Sequence, residues 1–147
     1  MGTPNYENIL DSIVGILQND SRLSGITDRN IFFGNERPDI ALEYPFITVE
    51  LLSDSEIYKT MPDGKDSNIG VMIRVYDEVI DYKTGIRNIQ NHIQDISDVL
   101  QANRSVSGTC YQSNITRKDF VYGTYDSIPV IGAEIAFNMI SRFSRAI

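Results

Sequence analysis

Apolar positions recur along this chain with two different periods, and the changes of period mark out its elements. Tyr6, Ile9, Leu10, Ile13, Val14 and Leu17 return every three or four residues, with Glu7, Asp11, Ser12 and Gln18 between them. That spacing puts one apolar stripe on an amphipathic helix. Thr3 and Pro4 read as its N-cap and first turn, so the predicted helix runs from Thr3 to Asn19. Gly15 lies inside it at a cost of about 1 kcal/mol relative to alanine, which the stripe must offset by packing. Asp20 to Gly25 reads as the exit, anchored by Leu23 and Ile26. A short apolar run, Ile31 to Phe33, is a brief strand closed by Gly34 and Asn35. The polar stretch Glu36 to Pro45, with two prolines, is a loop.

The period then drops to two. Ile47, Val49 and Leu51 alternate with Thr48 and Glu50, which predicts a strand over Phe46 to Leu52. Ile69, Val71, Ile73 and Val75 alternate with Gly70, Met72, Arg74 and Tyr76, which predicts its partner over Asn68 to Tyr76. Pro62, Asp63 and Gly64 sit midway between the two. Proline presets φ, aspartate caps a turn and glycine accepts positive φ, so these residues predict a turn. Together the segments form a long antiparallel hairpin that protrudes beyond the core. On that arm Ile57, Tyr58 and Met61 are apolar residues in an exposed setting.

A second helix is predicted from Asp81 to Ala102, where Ile86, Ile89, Ile93, Ile96 and Leu100 form a stripe. About two heptads are too few for a coiled coil, so a helix lying on a sheet is expected, ended by a left-handed Asn103. Val106 to Ile115 and Asp119 to Tyr125 are strand candidates. Val130 to Phe143 is the strongest one, with Ile131, Ala133, Ile135, Phe137, Met139 and Phe143 on one side. It would span about 45 Å, long enough for part of it to reach past the domain body and pair with a neighbouring sheet. The expected fold is a single α+β domain over residues 1–147, an antiparallel sheet packed by two helices. Its expected core includes Ile9, Ile13, Ile47, Val49, Ile73, Val75, Ile89, Ile93, Ile96, Ile135 and Phe137.

Composition narrows the function. The 147 residues carry a formal net charge of −7, which disfavours broad attraction to nucleic acid because phosphate binding needs lysine and arginine. No apolar stretch approaches the roughly 20 residues of a membrane helix. The first residues show neither a basic nor an apolar signal region, so the chain is expected to be made in a cytoplasm. Cys110 is the single cysteine and His92 the single histidine. His92 has no nucleophile motif beside it, and it reads as a surface or boundary histidine. Cys110 reads as a small buried hydrophobe in a β segment. Asp54 and Glu56 share a face if their segment is extended, yet the spaced ligands of a calcium loop are absent and they read as solvated acids. No glycine-rich phosphate loop is present. Neither a cofactor nor a metal is expected, and the chain is not expected to be an enzyme. Positive charge gathers only at Arg117 with Lys118 and at Arg142 with Arg145, and no acid follows Glu134.

The whole pattern resembles one family. An N-terminal amphipathic helix leads to a strand pair with a long excursion. The second strand ends in Ile73, Arg74, Val75, Tyr76, and a long helix follows. Tyr125 and Asp126 precede an alternating strand, Ile131 to Arg142, that ends in Phe143. In element order and length this is similar to the tail terminator, or tail-to-head joining (tail completion), proteins of long-tailed bacteriophages. The resemblance implies a homo-oligomeric ring, usually a hexamer, at the head-proximal end of the tail. Its partners would be the tail tube protein and the head-tail connector protein, and DNA would pass through without specific binding. It implies no catalytic residues and no membrane, and places the protein in the virion, at the tail or neck. The regions that match protruding or inter-subunit elements hold Ile57, Tyr58, Lys59, Met61 and Asp63 on the hairpin, and Arg142 and Arg145 at the chain's end. Two other readings stay open on sequence: another phage neck or head-completion component, and a ferredoxin-like small-molecule-binding or regulatory module.

Overall fold

A computed structural model describes residues 6–23, 26, 30–33, 44–58, 64–79, 81–106, 110, 112–125 and 128–144. The element order is helix α1 (Tyr6–Asn19), a single 3-10 turn (Ser21–Leu23), strands β1 (Ile31–Phe33), β2 (Phe46–Tyr58) and β3 (Gly64–Glu78), helix α2 (Tyr82–Ala102), then β4 (Gln112–Tyr125) and β5 (Ile128–Ser144). The strands make one five-stranded sheet in the order β1-β2-β3-β5-β4. All neighbours are antiparallel except β1 and β2, which run parallel. Both helices pack on the sheet, so the α+β expectation holds.

Each helix buries the stripe that its spacing announced. In α1 these residues are Ile9, Ile13 and Leu17. The expected start at Thr3 and Pro4 lies outside the described residues. Gln18 donates from Nε2 to the Ile31 carbonyl at 3.2 Å, tying the end of the helix to β1. Asp81 caps α2 in extended backbone and accepts from the Thr84 amide at 3.2 Å and the Thr84 hydroxyl at 2.9 Å. One otherwise orphan N–H of the first turn is thereby satisfied. Ile89, Ile93, Ile96, Val99 and Leu100 of α2 are buried against the sheet.

The exit from α2 departs from expectation. Asn103 has φ −128°, outside the left-handed region, and its amide donates to the Leu100 carbonyl at 3.1 Å. Its side chain caps the last turn instead, donating to the Val99 carbonyl at 2.8 Å. Among the described residues other than glycine, Val106 is at positive φ, 46°. A β-branched residue there carries backbone strain. Complete burial of its side chain in the core offsets it. The strand expected to start at Val106 therefore starts at Gln112, and the two segments read as separate strands are one strand, β4, with a bulge between Ile115 and Arg117.

The β2–β3 hairpin is longer and more regular than its sequence suggests. Its ladder runs from Phe46↔Tyr76 out to Tyr58↔Lys65, so Ser53 to Tyr58 continue the strand. One bulge, between Leu51 and Ser53, changes which side follows. Before it, Ile47, Val49 and Leu51 face the helices; after it, Asp54 and Glu56 take register positions on that side, opposite Ile69 and Ser67. Asp54 is therefore no solvated loop acid. It is half-buried and accepts a hydrogen bond from the Tyr6 hydroxyl at the start of α1.

The last strand is not an edge. β5 pairs with β3 from Gly64↔Ser144 to Glu78↔Val130 and with β4 from Gln112↔Ile140 to Tyr125↔Ile128. With 17 residues it spans about 55 Å. Pairing on both flanks holds from Ile128 to Ile140; Ser141 to Ser144 run on beyond β4, paired with β3 alone among the described residues. Ile131, Ala133, Ile135, Phe137 and Met139 are all buried on its helix side. On the opposite side Gly132 lies directly across from Tyr76, and a Cβ built on it would stand 2.5 Å from the Tyr76 ring. That ring is held in turn by Phe46, 5.2 Å away centroid to centroid.

Two stability measurements check this packing. Ile93→Ala should lower the unfolding free energy by about 2–5 kcal/mol, the usual cost of truncating a buried isoleucine; a loss below about 0.5 kcal/mol would contradict the placement of α2. Gly132→Ala should cost about 1–3 kcal/mol because the Tyr76 ring must leave its place, and Tyr76→Ala in the same chain should relieve only part of it, because the Val75 carbonyl stands 2.9 Å from the added methyl.

Candidate functional site

The structure gathers three of the hairpin and C-terminal residues singled out by sequence. Ile57 registers with Asp66, and Asp66 with Arg142, so all three lie on one rung across β2, β3 and β5. Tyr58, Lys65 and Phe143 form the next rung. β4 stops short of both, its first residue Gln112 pairing with Ile140. The far end of the hairpin is thus a three-stranded extension of the main sheet, and Ile57, Tyr58 and Arg142 meet there although about 85 residues separate the segments in sequence. Lys59, Met61, Asp63 and Arg145 lie outside the described residues, as does the turn residue Pro62.

The sheet face away from the helices divides in two. At one end Phe32, Tyr44, Phe46 and Tyr76 form an aromatic group with ring centroids 5.2–6.0 Å apart. Toward the middle Arg74 of β3 bridges its neighbours: Nε donates to Glu134 of β5 at 2.8 Å, and Nη1 pairs with Glu50 of β2. Burial alone would lower the pKa of the Arg74 guanidinium. The hydrogen bonds to Glu134 and Glu50, with their charges, reverse that and hold it above its ordinary value. One cation thereby ties three strands together, and its donors are used within the fold.

The residues considered for chemistry have structural partners. His92 Nε2 stands 3.3 Å from Asp77 Oδ2 and links α2 to the end of β3. Cys110 is buried, as expected, and its thiol donates to the Arg104 carbonyl at 3.4 Å; it precedes β4 rather than lying within a strand. Among the described residues no group of three or more His, Cys, Asp or Glu is placed to hold a metal ion, and no helix is long and apolar enough to cross a membrane. The described residues line a shallow groove of about 350 Å³ between the ends of α1 and α2, at Ser12, Gly15, Ile16, Asn19, Asp20 and Asn103. A smaller one of about 110 Å³ lies between the end of α2 and the start of β4. Neither has the apolar enclosure and convergent polar groups of a small-molecule site.

Sequence reasoning missed the surface of β4. Phe120 is 46% exposed, Tyr122 58% and Tyr82, at the start of α2, 60%. Tyr82 and Tyr122 stack at 6.0 Å, and hydrogen bonding to Tyr82 raises the Tyr122 hydroxyl above its ordinary pKa. Phe120 registers with Ala133 and Tyr122 with Ile131, so both are on the helix side of the sheet, yet α1 packs on β1 and β2 and α2 on β3 and β5, and these two residues of β4 stay largely exposed. The alternation of Lys118, Phe120 and Tyr122 was the available signal. It announces an apolar face without saying that nothing covers it.

No family model matches the chain, and no curated protein matches it. Among solved structures it is similar to a chain described as "Virion of native gene transfer agent (GTA) particle", at 10% identity and a TM-score of 0.43, over 92% of this chain and 94% of that one.

The bridging role of Arg74 has a direct test. Arg74→Met should lower stability by about 1.5–3 kcal/mol, the range for hydrogen bonds to charged groups, because it leaves Glu50 and Glu134 without their shared cation. Urea unfolding should record that loss, and Glu134→Gln in the Arg74→Met background should recover part of it.

Proposed function

We propose that this chain is a structural ring protein of a bacteriophage tail. In this reading it forms a homo-oligomer, a hexamer in the particle, at the head-proximal end. It ends growth of the tail tube and joins the tail to the head-tail connector. It is made in the host cytoplasm and carried in the virion. It catalyses no reaction and uses no cofactor, and DNA passes through the ring without specific binding.

The observation that carries this reading is the three-stranded extension of β2, β3 and β5. It continues the sheet past the end of β4 and brings Ile57 and Arg142 onto one rung, either side of Asp66, with Tyr58 on the next rung. A backbone arm paired on three strands is stiff, which suits a contact element that must hold a fixed position in a closed assembly. The long helix α2 and the single sheet agree with the element order from which the family resemblance was drawn. The net charge of −7 is compatible with a conduit that does not hold DNA.

Removal of the arm tests the reading. A variant lacking Glu56 to Asp66, with Ser55 and Ser67 joined by a short turn, should keep both helices and the rest of the sheet. Tails assembled with it should have faulty lengths or fail to join heads, as seen by electron microscopy. Tails of normal length that join heads efficiently would overturn the proposal.

A further inference from the structure

The sheet has two open edges, and they differ. On one side β1 covers only Ile47 to Val49 of β2, so among the described residues no strand pairs with the outer side of β2 from Glu50 to Tyr58. On the other side β4 pairs with β5, and among the described residues no strand pairs with the outer edge of its 14 residues. An exposed edge carries unpaired N–H and C=O groups and is a template for another chain. Of the large hydrophobic residues exposed among the described ones, Leu52 is on the first edge, while Phe120 and Tyr122 are on the second with Tyr82 stacked beside Tyr122.

The two edges are complementary in charge. The open part of β2 carries Glu50, Asp54 and Glu56 and no basic residue. β4 carries Lys118, and Arg117, whose side chain is 74% exposed, pairs with Asp119 of its own strand at 2.8 Å. Direction matches as well. β2 runs antiparallel to β3, β3 to β5 and β5 to β4, so β2 and β4 point opposite ways. Two copies set side by side in the same orientation therefore bring β4 of one antiparallel to β2 of the next. In such a ladder, setting Lys118 beside Asp54 brings Phe120 and Tyr122 alongside the part of β2 that precedes Asp54. Lys118 and Asp54 share the helix side of the sheet, since they register with Ile135 and Ile69.

From this geometry we infer that the outer edge of β4 binds the Glu50–Tyr58 edge of β2 in a second copy of this chain, continuing one sheet across the subunit boundary. The contact is head-to-tail: each copy offers one edge of each kind, so repetition closes into a ring where the rotation permits. The sheet of each copy contributes backbone hydrogen bonds, the charged residues set the register, and Leu52, Phe120 and Tyr122 are covered. The inference deepens the ring reading and rests on its premise that copies of the chain associate.

Cysteine cross-linking separates the possibilities. In a Cys110→Ala background, Ser53→Cys and Asp119→Cys variants are mixed, and a second mixture pairs Ser55→Cys with Arg117→Cys. Each is oxidised at rising concentration up to the millimolar range and in assembled particles. A mixed disulfide in at least one pair is expected, and a chain carrying both cysteines should give a ladder of multiples. Phe120→Lys with Tyr122→Lys should weaken association by about tenfold or more without loss of folded structure, both residues being exposed in the single copy. A homodisulfide of the Asp119→Cys variant alone would mean that β4 pairs with β4 about a two-fold axis, and would overturn the inference. Rings that form with no mixed disulfide would overturn it and leave the ring reading standing. Cross-linked open chains that never close would support the edge contact and overturn the ring. A chain that stays monomeric and uncross-linked in every condition would overturn the contact.

Discussion

The central constraint of this molecule is the position of β5, held by backbone hydrogen bonds on both flanks. β3 occupies one side of it and β4 the other. Each buried N–H and C=O must find a partner, and a strand of 17 residues has many to satisfy. Placing it inside the sheet satisfies them through most of its length. The same placement forces α2 to cross from β3 over the sheet before β4 can begin, because the chain must travel from one flank of β5 to the other. It also makes β4 an edge, although β4 precedes β5 in sequence.

The helix side of the sheet follows from that arrangement. Ile131, Ala133, Ile135, Phe137 and Met139 of β5 lie beside Ile69, Val71, Ile73 and Val75 of β3, and α2 covers this double row. Burying side chains of this size contributes about 1.5–3 kcal/mol each, so the seam between β3 and β5 dominates the apolar stabilisation. Among the described residues no helix covers the opposite side, and polar groups and rings manage it. The Tyr76 ring fills the space left open at Gly132, and Arg74 joins Glu50 to Glu134 across three strands.

The proposed contacts take their positions from the same frame. The arm is stiff because β5 continues beside β2 and β3 beyond the last residue of β4. Phe120 and Tyr122 are exposed because α1 packs on β1 and β2 and α2 on β3 and β5, which leaves this part of the last strand largely uncovered. Protrusion at one end and bare aromatic surface at one edge are thus two results of one strand order.

Much of this was legible in the amino-acid sequence. The helical stripes of α1 and α2, the alternation in β2, β3 and β5, and the burial of Cys110 all appear in the structure as the spacing requires. These features are local. Side-chain direction repeats every 3.6 residues in a helix and every two in a strand, whatever surrounds them. Strand order is not local. No period in the chain says that β5 enters between β3 and β4, and so is interior as far as Ile140 before its last residues run past β4. The bulges after Leu51 and Ile115 were equally hidden, because they answer a partner strand; the first turns Asp54 toward the helices and the Tyr6 hydroxyl. Sequence alone determined which residues share a face. Tertiary structure decided which faces are covered and which edges stay open, because cover and pairing come from segments far away along the chain.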